Sequence, residues 1–239
     1  MLRFHERWTV LPHGSLSEID DGILTVTGRI HMPLVDLERR MTVVRLDDGS
    51  SIIYSAIALD EGQMNQIEAF GMPRYLVVPG DAHRLDAKIY KQRYPDLQVV
   101  TPPGALKRVA EAVPVHATDI DFGDVNVAWQ VVAGAGGHEG ALLVHRASGT
   151  TLILSDLIGN LRRKGGFEGW MLHVMGFGGD RPVVPLVEKL LMVQNAAQLR
   201  QQFLDWAAIP DLRRVIMSHG EPIETRPSAA LRQLVGALN

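Results

Sequence analysis

The chain contains no cysteine. A disulfide scaffold and a thiolate metal site are both excluded, so any metal has to be held by His, Asp and Glu. Net charge is also small. Lys and Arg number 24 against 27 Asp and Glu, giving −3 and a pI near 6.3. That balance offers no basic footprint for nucleic acid, and no nucleic-acid partner is expected. Arg162-Arg163-Lys164 is a local basic cluster that reads as a solvated loop face; beside a pocket it would attract an anionic substrate. Long apolar runs are missing too. No segment approaches the roughly 18 residues that span a bilayer, and Met1 to Trp8 has no apolar core of signal-peptide length. No membrane partner is expected, and the expected setting is cytoplasmic.

What remains is the profile of an ordinary globular protein: 239 residues, 46% hydrophobic and 21% charged, enough for a sizeable core. No linker, repeat or low-complexity segment interrupts the chain, which reads as one domain over residues 1–239.

The periodicity changes along the chain. Gly22 to Gly28 reads as a first strand, and residues 29–40 show no clear period. Met41 to Leu46 and Ser51 to Ser55 flank Asp47-Asp48-Gly49-Ser50, a β-hairpin with a loop of about four residues. Asp60 to Gly71 is helical in spacing, with Gly71 at the C-cap position. Tyr75 to Val78 is a buried strand stopped by Pro79-Gly80, and a helical pattern runs from Ala82 to Tyr94. Short strands at Leu97 to Val100 and Val115 to Thr118 flank a helix through about Ala112. This alternation is a parallel α/β signature. The second half opens with β: Val125 to Val131, Ala141 to Arg146 and Thr150 to Leu154. Residues 157–184 read as a long, partly helical loop, with Trp170 to Phe177 as core or lid. Helices follow from Pro185 to about Trp206 in two pieces, then a strand at Leu212 to Met217 and a helix at Pro227 to Leu238.

Ligand-capable residues gather at strand ends, where open α/β sheets collect ligands. After the strand at 75–78 come Asp81, His83 and Asp86. A glycine loop carries Gly137-His138-Glu139, and later strands end in Ser155-Asp156 and Ser218-His219-Gly220. Each has a plain structural alternative. Asp81 follows Pro-Gly and suits a helix N-cap. Asp86 suits a first helical turn, where the dipole favours an acid. His83 and His138 can be ordinary turn and loop residues. Asp156 and His219 end apolar strands, where a titratable group needs a reason to sit. His13, His31 and His116 lack ligand spacing. The glycine loop opens into a strand and lacks Gly-Lys-Ser/Thr, so it is no phosphate loop. Ser55 and Ser155 do not sit in a G-x-S-x-G elbow.

Order and spacing over residues 20–225 resemble the metallo-β-lactamase-like hydrolases, whose motifs are H-x-H-x-D-H after a strand, a lone Gly-His, an Asp after a hairpin strand and a late His. The resemblance implies a four-layer αββα sandwich, two mixed sheets flanked by helices. Gly137-His138, Leu152 to Asp156 and Val215 to Gly220 stand in the last three places. The first motif departs: with Asp81 and His83 at its two leading His positions, Leu85 takes the Asp position and Asp86 the final His. The chain is closer still to an uncharacterised branch lacking the full His motif, through Ser155-Asp156-Leu157-Ile158-Gly159-Asn160 and Ser218-His219-Gly220. In that branch Glu139 outweighs His138.

The resemblance implies one or two divalent ions (zinc, manganese or iron), or none. One site would use Asp81, His83 and His138; a second would use Asp86 and His219, with Asp156 bridging. Asp156 and His219 would be the catalytic anchors of a hydrolase that turns metal-bound hydroxide on an ester-, thioester- or phosphoester-type bond of a small-molecule substrate. The alternative is a non-catalytic relative with an eroded metal site, which binds a small ligand or a protein partner.

Overall fold

The apolar runs of this sequence form strands that are buried on both faces. In the computed structural model, which describes residues 4–31, 36–161, 165–174, 176 and 181–238, the first half contains β1 (Ser17–Asp20), β2 (Ile23–His31), β3 (Asp36–Arg45) and β4 (Ser50–Tyr54). Then come α1 (Glu61–Phe70), β5 (Met72–Val77), α2 (Ala87–Arg93), β6 (Gln98–Val100) and α3 (Leu106–Ala110). The second half contains β7 (Val127–Val131), β8 (Gly140–Arg146), β9 (Gly149–Ile153) and β10 (Gly159–Asn160). It continues through α4 (Gly166–Val174), α5 (Leu186–Leu191) and α6 (Ala196–Ala207) to β11 (Leu212–Ile216), β12 (His219–Gly220) and α7 (Pro227–Gly236).

One sheet has six strands in the order β1-β2-β3-β4-β5-β6, antiparallel up to β4 and parallel from β4 to β6. The other has the order β11-β9-β8-β7, with β11 parallel to β9. The short β10 and β12 pair in parallel beside them.

Side chains alternate across a strand, and here each alternate set has its own core. On β5, Tyr75 and Val77 face one cluster while Leu76 faces another. On β4, Ile52 and Tyr54 share the first cluster and Ile53 the second. The cluster holding Tyr54 and Val77 also holds Trp129, Leu142, Ile153 and Ile216 of the other sheet. It is therefore the layer between the sheets. On the outer faces, Met64, Ile67, Ile89, Tyr90 and Val109 cover the first sheet, and Leu199, Phe203, Trp206, Leu231 and Leu234 cover the second. The result is helices, sheet, sheet, helices: the four-layer αββα arrangement. Near-continuous apolar strands are what a sheet covered on both faces requires.

Four sequence expectations change. Residues 29–31 and 36–40, which lack an apolar period, form one long antiparallel pair, because Arg39 and Arg40 are buried there for their hydrogen bonds (5% and 7% exposed). The helix expected from Ala82 begins instead as a 3₁₀ turn, Asp81–Arg84, with α2 only from Ala87. The strand expected at 115–118 is a single bridge, Val100 to Ala117. Trp170 and Val174 are exposed and so are not core. The cluster Arg162-Arg163-Lys164 lies outside the described residues. Among the described residues no helix is long and apolar enough to cross a membrane.

Candidate metal centre

Three strands deliver the site. β5 runs through Val78 to Pro79-Gly80, and the 3₁₀ turn that follows carries His83. β9 leads into Ser155-Asp156, and β11 leads through Ser218 to His219 in β12. The two latter ends are locked side by side: Leu154 donates to the Ile216 carbonyl at 2.8 Å and Ser218 to the Ser155 carbonyl at 3.2 Å. Gly80 permits the close approach of the first, since a Cβ there would stand 3.1 Å from the His138 carbonyl oxygen.

His83, Asp156 and His219 converge, each offering one ligand atom, with all three atoms within 4.8 Å of one another. Both imidazoles address the same carboxylate oxygen: Asp156 Oδ1 is 3.0 Å from His83 Nε2 and 3.1 Å from His219 Nε2. The other nitrogen of each ring is also engaged. His219 Nδ1 lies 2.5 Å from the Glu38 carbonyl oxygen, and His83 Nδ1 lies 2.7 Å from Ser55 Oγ. A carbonyl only accepts, so His219 Nδ1 carries the proton. Its Nε2 then either holds a second proton shared with Asp156 or presents a lone pair.

The electrostatics follow. Burial acts to raise the Asp156 carboxyl, but the charge of His83 and the hydrogen bonds from His219 and His83 outweigh it and hold the group well below the ordinary carboxylate range. Burial acts to lower the His219 imidazole, and its bond to Asp156, that charge and the Glu38 carbonyl together raise it. Glu139 is wholly buried beneath them. It accepts from the Ser155 N–H at 2.6 Å, the Ser155 hydroxyl at 2.5 Å and the Asp156 N–H at 3.4 Å, so it pins the turn that presents Asp156. Burial and the Asp156 charge push its carboxyl up to about 8, against those three bonds. Glu188, on α5, is pushed up to about 7 by burial and the Asp156 charge, with His219 opposing.

The glycine loop acts through its backbone. Gly104 donates to the Gly137 carbonyl at 2.8 Å, and a Cβ on Gly104 would stand 2.7 Å from that oxygen. The Gly134 carbonyl, at φ +82°, accepts from Gln194 and Asn195. This anchoring carries Glu139 inward while His138 stays at the rim.

The remaining candidates do not join the cluster. His138 Nδ1 is 3.8 Å from Asp81 Oδ1, both side chains about a third to a half exposed (32% and 46%). Asp86 is fully buried and its two oxygens are taken by His5 Nδ1 at 2.7 Å and Arg39 Nη1 at 2.6 Å. The ligand sets Asp81–His83–His138 and Asp86–Asp156–His219 are therefore not assembled; the group that forms draws one member from the first and two from the second. Sequence reasoning passed over Ser55 and Glu188. No spacing pointed to Glu188, and Ser55 was weighed only as a nucleophile.

Two imidazoles and a carboxylate make a nitrogen–oxygen donor set suited to a divalent first-row ion. The buried carboxylate of Asp156, held ionised, adds negative charge that a cation would neutralise. The residues fit a metal.

No family model matches the chain, and no curated protein matches its sequence. Solved structures do. The mono-zinc form of the metallo-β-lactamase FIM-1 from Pseudomonas aeruginosa is 14% identical over 95% of this chain and 96% of its own, with a TM-score of 0.61. A metallo-β-lactamase from Erythrobacter litoralis is 16% identical over 93% and 96%, with a TM-score of 0.62. One from Pontibacter korlensis is 11% identical over 94% and 98%, with a TM-score of 0.61. Two mixed sheets packed face to face, helices on both outer faces and these likenesses over nearly the whole chain lead to one conclusion: the chain has the metallo-β-lactamase fold.

Proposed function

We propose that this protein is a metal-dependent hydrolase that holds one divalent ion with His83, Asp156 and His219. The observation that supports it is the convergence of three donor atoms, from three segments, within 4.8 Å. Three protein donors with a further position open is the pattern of catalytic rather than structural zinc sites. Among the described residues a second ion has no comparable donor set, since Asp86 is consumed by Arg39 and His5.

An ion bound there would supply Lewis-acid polarisation and an acidified water, with the water's pKa near 7. The chain's own residues do the rest. Asp156 supplies the anionic ligand, held in place by Glu139 and the Ser155 turn. His219 is fixed by the Glu38 carbonyl so that Nε2 faces the carboxylate. Glu188, whose carboxyl is raised by burial and the Asp156 charge, is the group of α5 suited to take up or release a proton near them. The proposed substrates are esters, thioesters or phosphoesters of small molecules.

The test is metal content by mass spectrometry on protein purified without chelator or His-tag, joined to a panel of p-nitrophenyl esters, thioesters and phosphoesters. The expected result is about one equivalent per chain, lost together with turnover in Asp156→Ala and His219→Ala variants that still melt cooperatively. Turnover that survives in both variants refutes the hydrolase reading. Metal without turnover on any substrate class moves the protein to a binding role.

A further inference from the structure

Ser55 stands just past the end of β4 with φ +58°, one of two non-glycine residues in the left-handed region among those described. Its N–H donates to the Val77 carbonyl at 3.0 Å, tying it to the strand that delivers His83. Left-handed backbone is disfavoured for a serine and persists where the surroundings over-determine it. Its consequence here is specific: the hydroxyl comes to 2.7 Å from His83 Nδ1. Serine, histidine and aspartate in line have the look of a nucleophile relay, but Ser55 is only 3% exposed. A hydroxyl so enclosed meets the imidazole and not a substrate.

Resting on the hydrolase reading above, we infer that Ser55 is a positioning residue, whose hydroxyl holds the His83 ring so that Nε2 faces Asp156 and the ion. The comparison with His219 shows why a hydroxyl stands here. The Glu38 carbonyl only accepts, so it permits a single arrangement of the His219 ring. A hydroxyl donates or accepts. When Ser55 Oγ–H donates to Nδ1, the neutral ring carries its proton on Nε2 and donates to Asp156 Oδ1 across the observed 3.0 Å. When Nδ1–H donates to Ser55 Oγ, Nε2 presents its lone pair. Rotation of one hydroxyl serves the ring in both forms without moving it, and the rigid left-handed turn keeps the oxygen in place throughout.

Two substitutions separate positioning from mere packing. Ser55→Gly removes the hydroxyl and relieves the backbone; Ser55→Ala removes it and keeps the left-handed strain. The measurements are zinc affinity by chelator competition, melting temperature, and the ring-nitrogen chemical shifts of His83 in chelator-treated protein. The expected result is that both variants bind zinc about 10–100-fold more weakly and shift the His83 nitrogens alike, while Ser55→Gly melts above Ser55→Ala. Zinc affinity that stays near wild type, or follows melting temperature across the pair, overturns the inference. If the wild-type protein binds no zinc, the hydrolase reading falls, and the His83 shifts decide the role of Ser55: unchanged nitrogens in both variants refute it, and matched displacement supports it.

Discussion

Asp86→Ala separates a structural carboxylate from a metal ligand. Asp86 is fully buried and joins two partners: Arg39, also buried, at 2.6 Å, and His5 of the N-terminal segment at 2.7 Å. That segment is further tied by the His5 N–H to the Leu85 carbonyl at 2.8 Å. Removal of the carboxylate leaves the Arg39 guanidinium buried without its counter-charge, and breaking a buried pair from one side costs about 3–5 kcal/mol. In a chain of this size each kcal/mol moves the melting temperature by about 2–4 °C, so the expected drop is roughly 6–20 °C. The loss should change little with salt, because buried pairs are weakly screened. Denaturant unfolding followed by circular dichroism gives the free energy, and metal content of the folded variant gives the stoichiometry. Replacing both partners, Asp86→Leu with Arg39→Met, is expected to recover most of the loss, since a well-packed apolar pair is often as stable as a buried ion pair. The reasoning is refuted by an Asp86→Ala variant that keeps its stability to within about 1 kcal/mol and loses its metal.

Two further substitutions test the support around Asp156 and His219. Glu139 has its folded-state pKa raised to about 8 from an ordinary 4.5; its contribution is intact below pH 4.5, where the carboxyl is protonated in both states, and is lost as pH rises through 8. Chelator-treated Glu139→Gln is therefore expected to lose less stability than wild type between these pH values, by a difference on the order of 5 kcal/mol above pH 8; parallel stability–pH curves would exclude the buried-charge argument. Gly220 sits at φ +97°, and a Cβ there would stand 2.2 Å from the Asn160 carbonyl oxygen. Gly220→Ala is expected to cost about 1–3 kcal/mol and to weaken zinc binding by displacing His219, which a melt and a competition titration would show; an unchanged affinity argues that the β10–β12 pair does not position the ligand.

The strands and turns were legible because their cause is local, while the four layers were implied only by the family resemblance. Strands buried on both faces need apolar residues at nearly every position, as at Tyr75 to Val78 and Leu152 to Leu154, and turns need Gly, Asp and Ser, as at 47–50. The ligand types were legible as well, since a chain without cysteine has only His, Asp and Glu to offer. Residues 29–31 and 36–40 hid a long strand pair because Arg39 and Arg40 break the apolar pattern, and their partners lie far along the chain at Asp86 and Gly220.

Assembly of the site belonged to the tertiary structure. Asp81, His83 and Asp86 are neighbours in sequence, yet the 3₁₀ turn Asp81–Arg84 ends before Asp86, which stands at the N-cap of α2, and their side chains part: Asp81 to the rim with His138, His83 to Asp156, Asp86 to Arg39. Conversely Ser55, His83, Asp156 and His219 share no local pattern and meet because β4, β5, β9 and β11 end at one edge of the two sheets. The sequence by itself determined which elements form and which chemical groups are available, since those depend on residues close along the chain. Which groups face one another was decided by strand register and burial, which depend on how the two sheets pack.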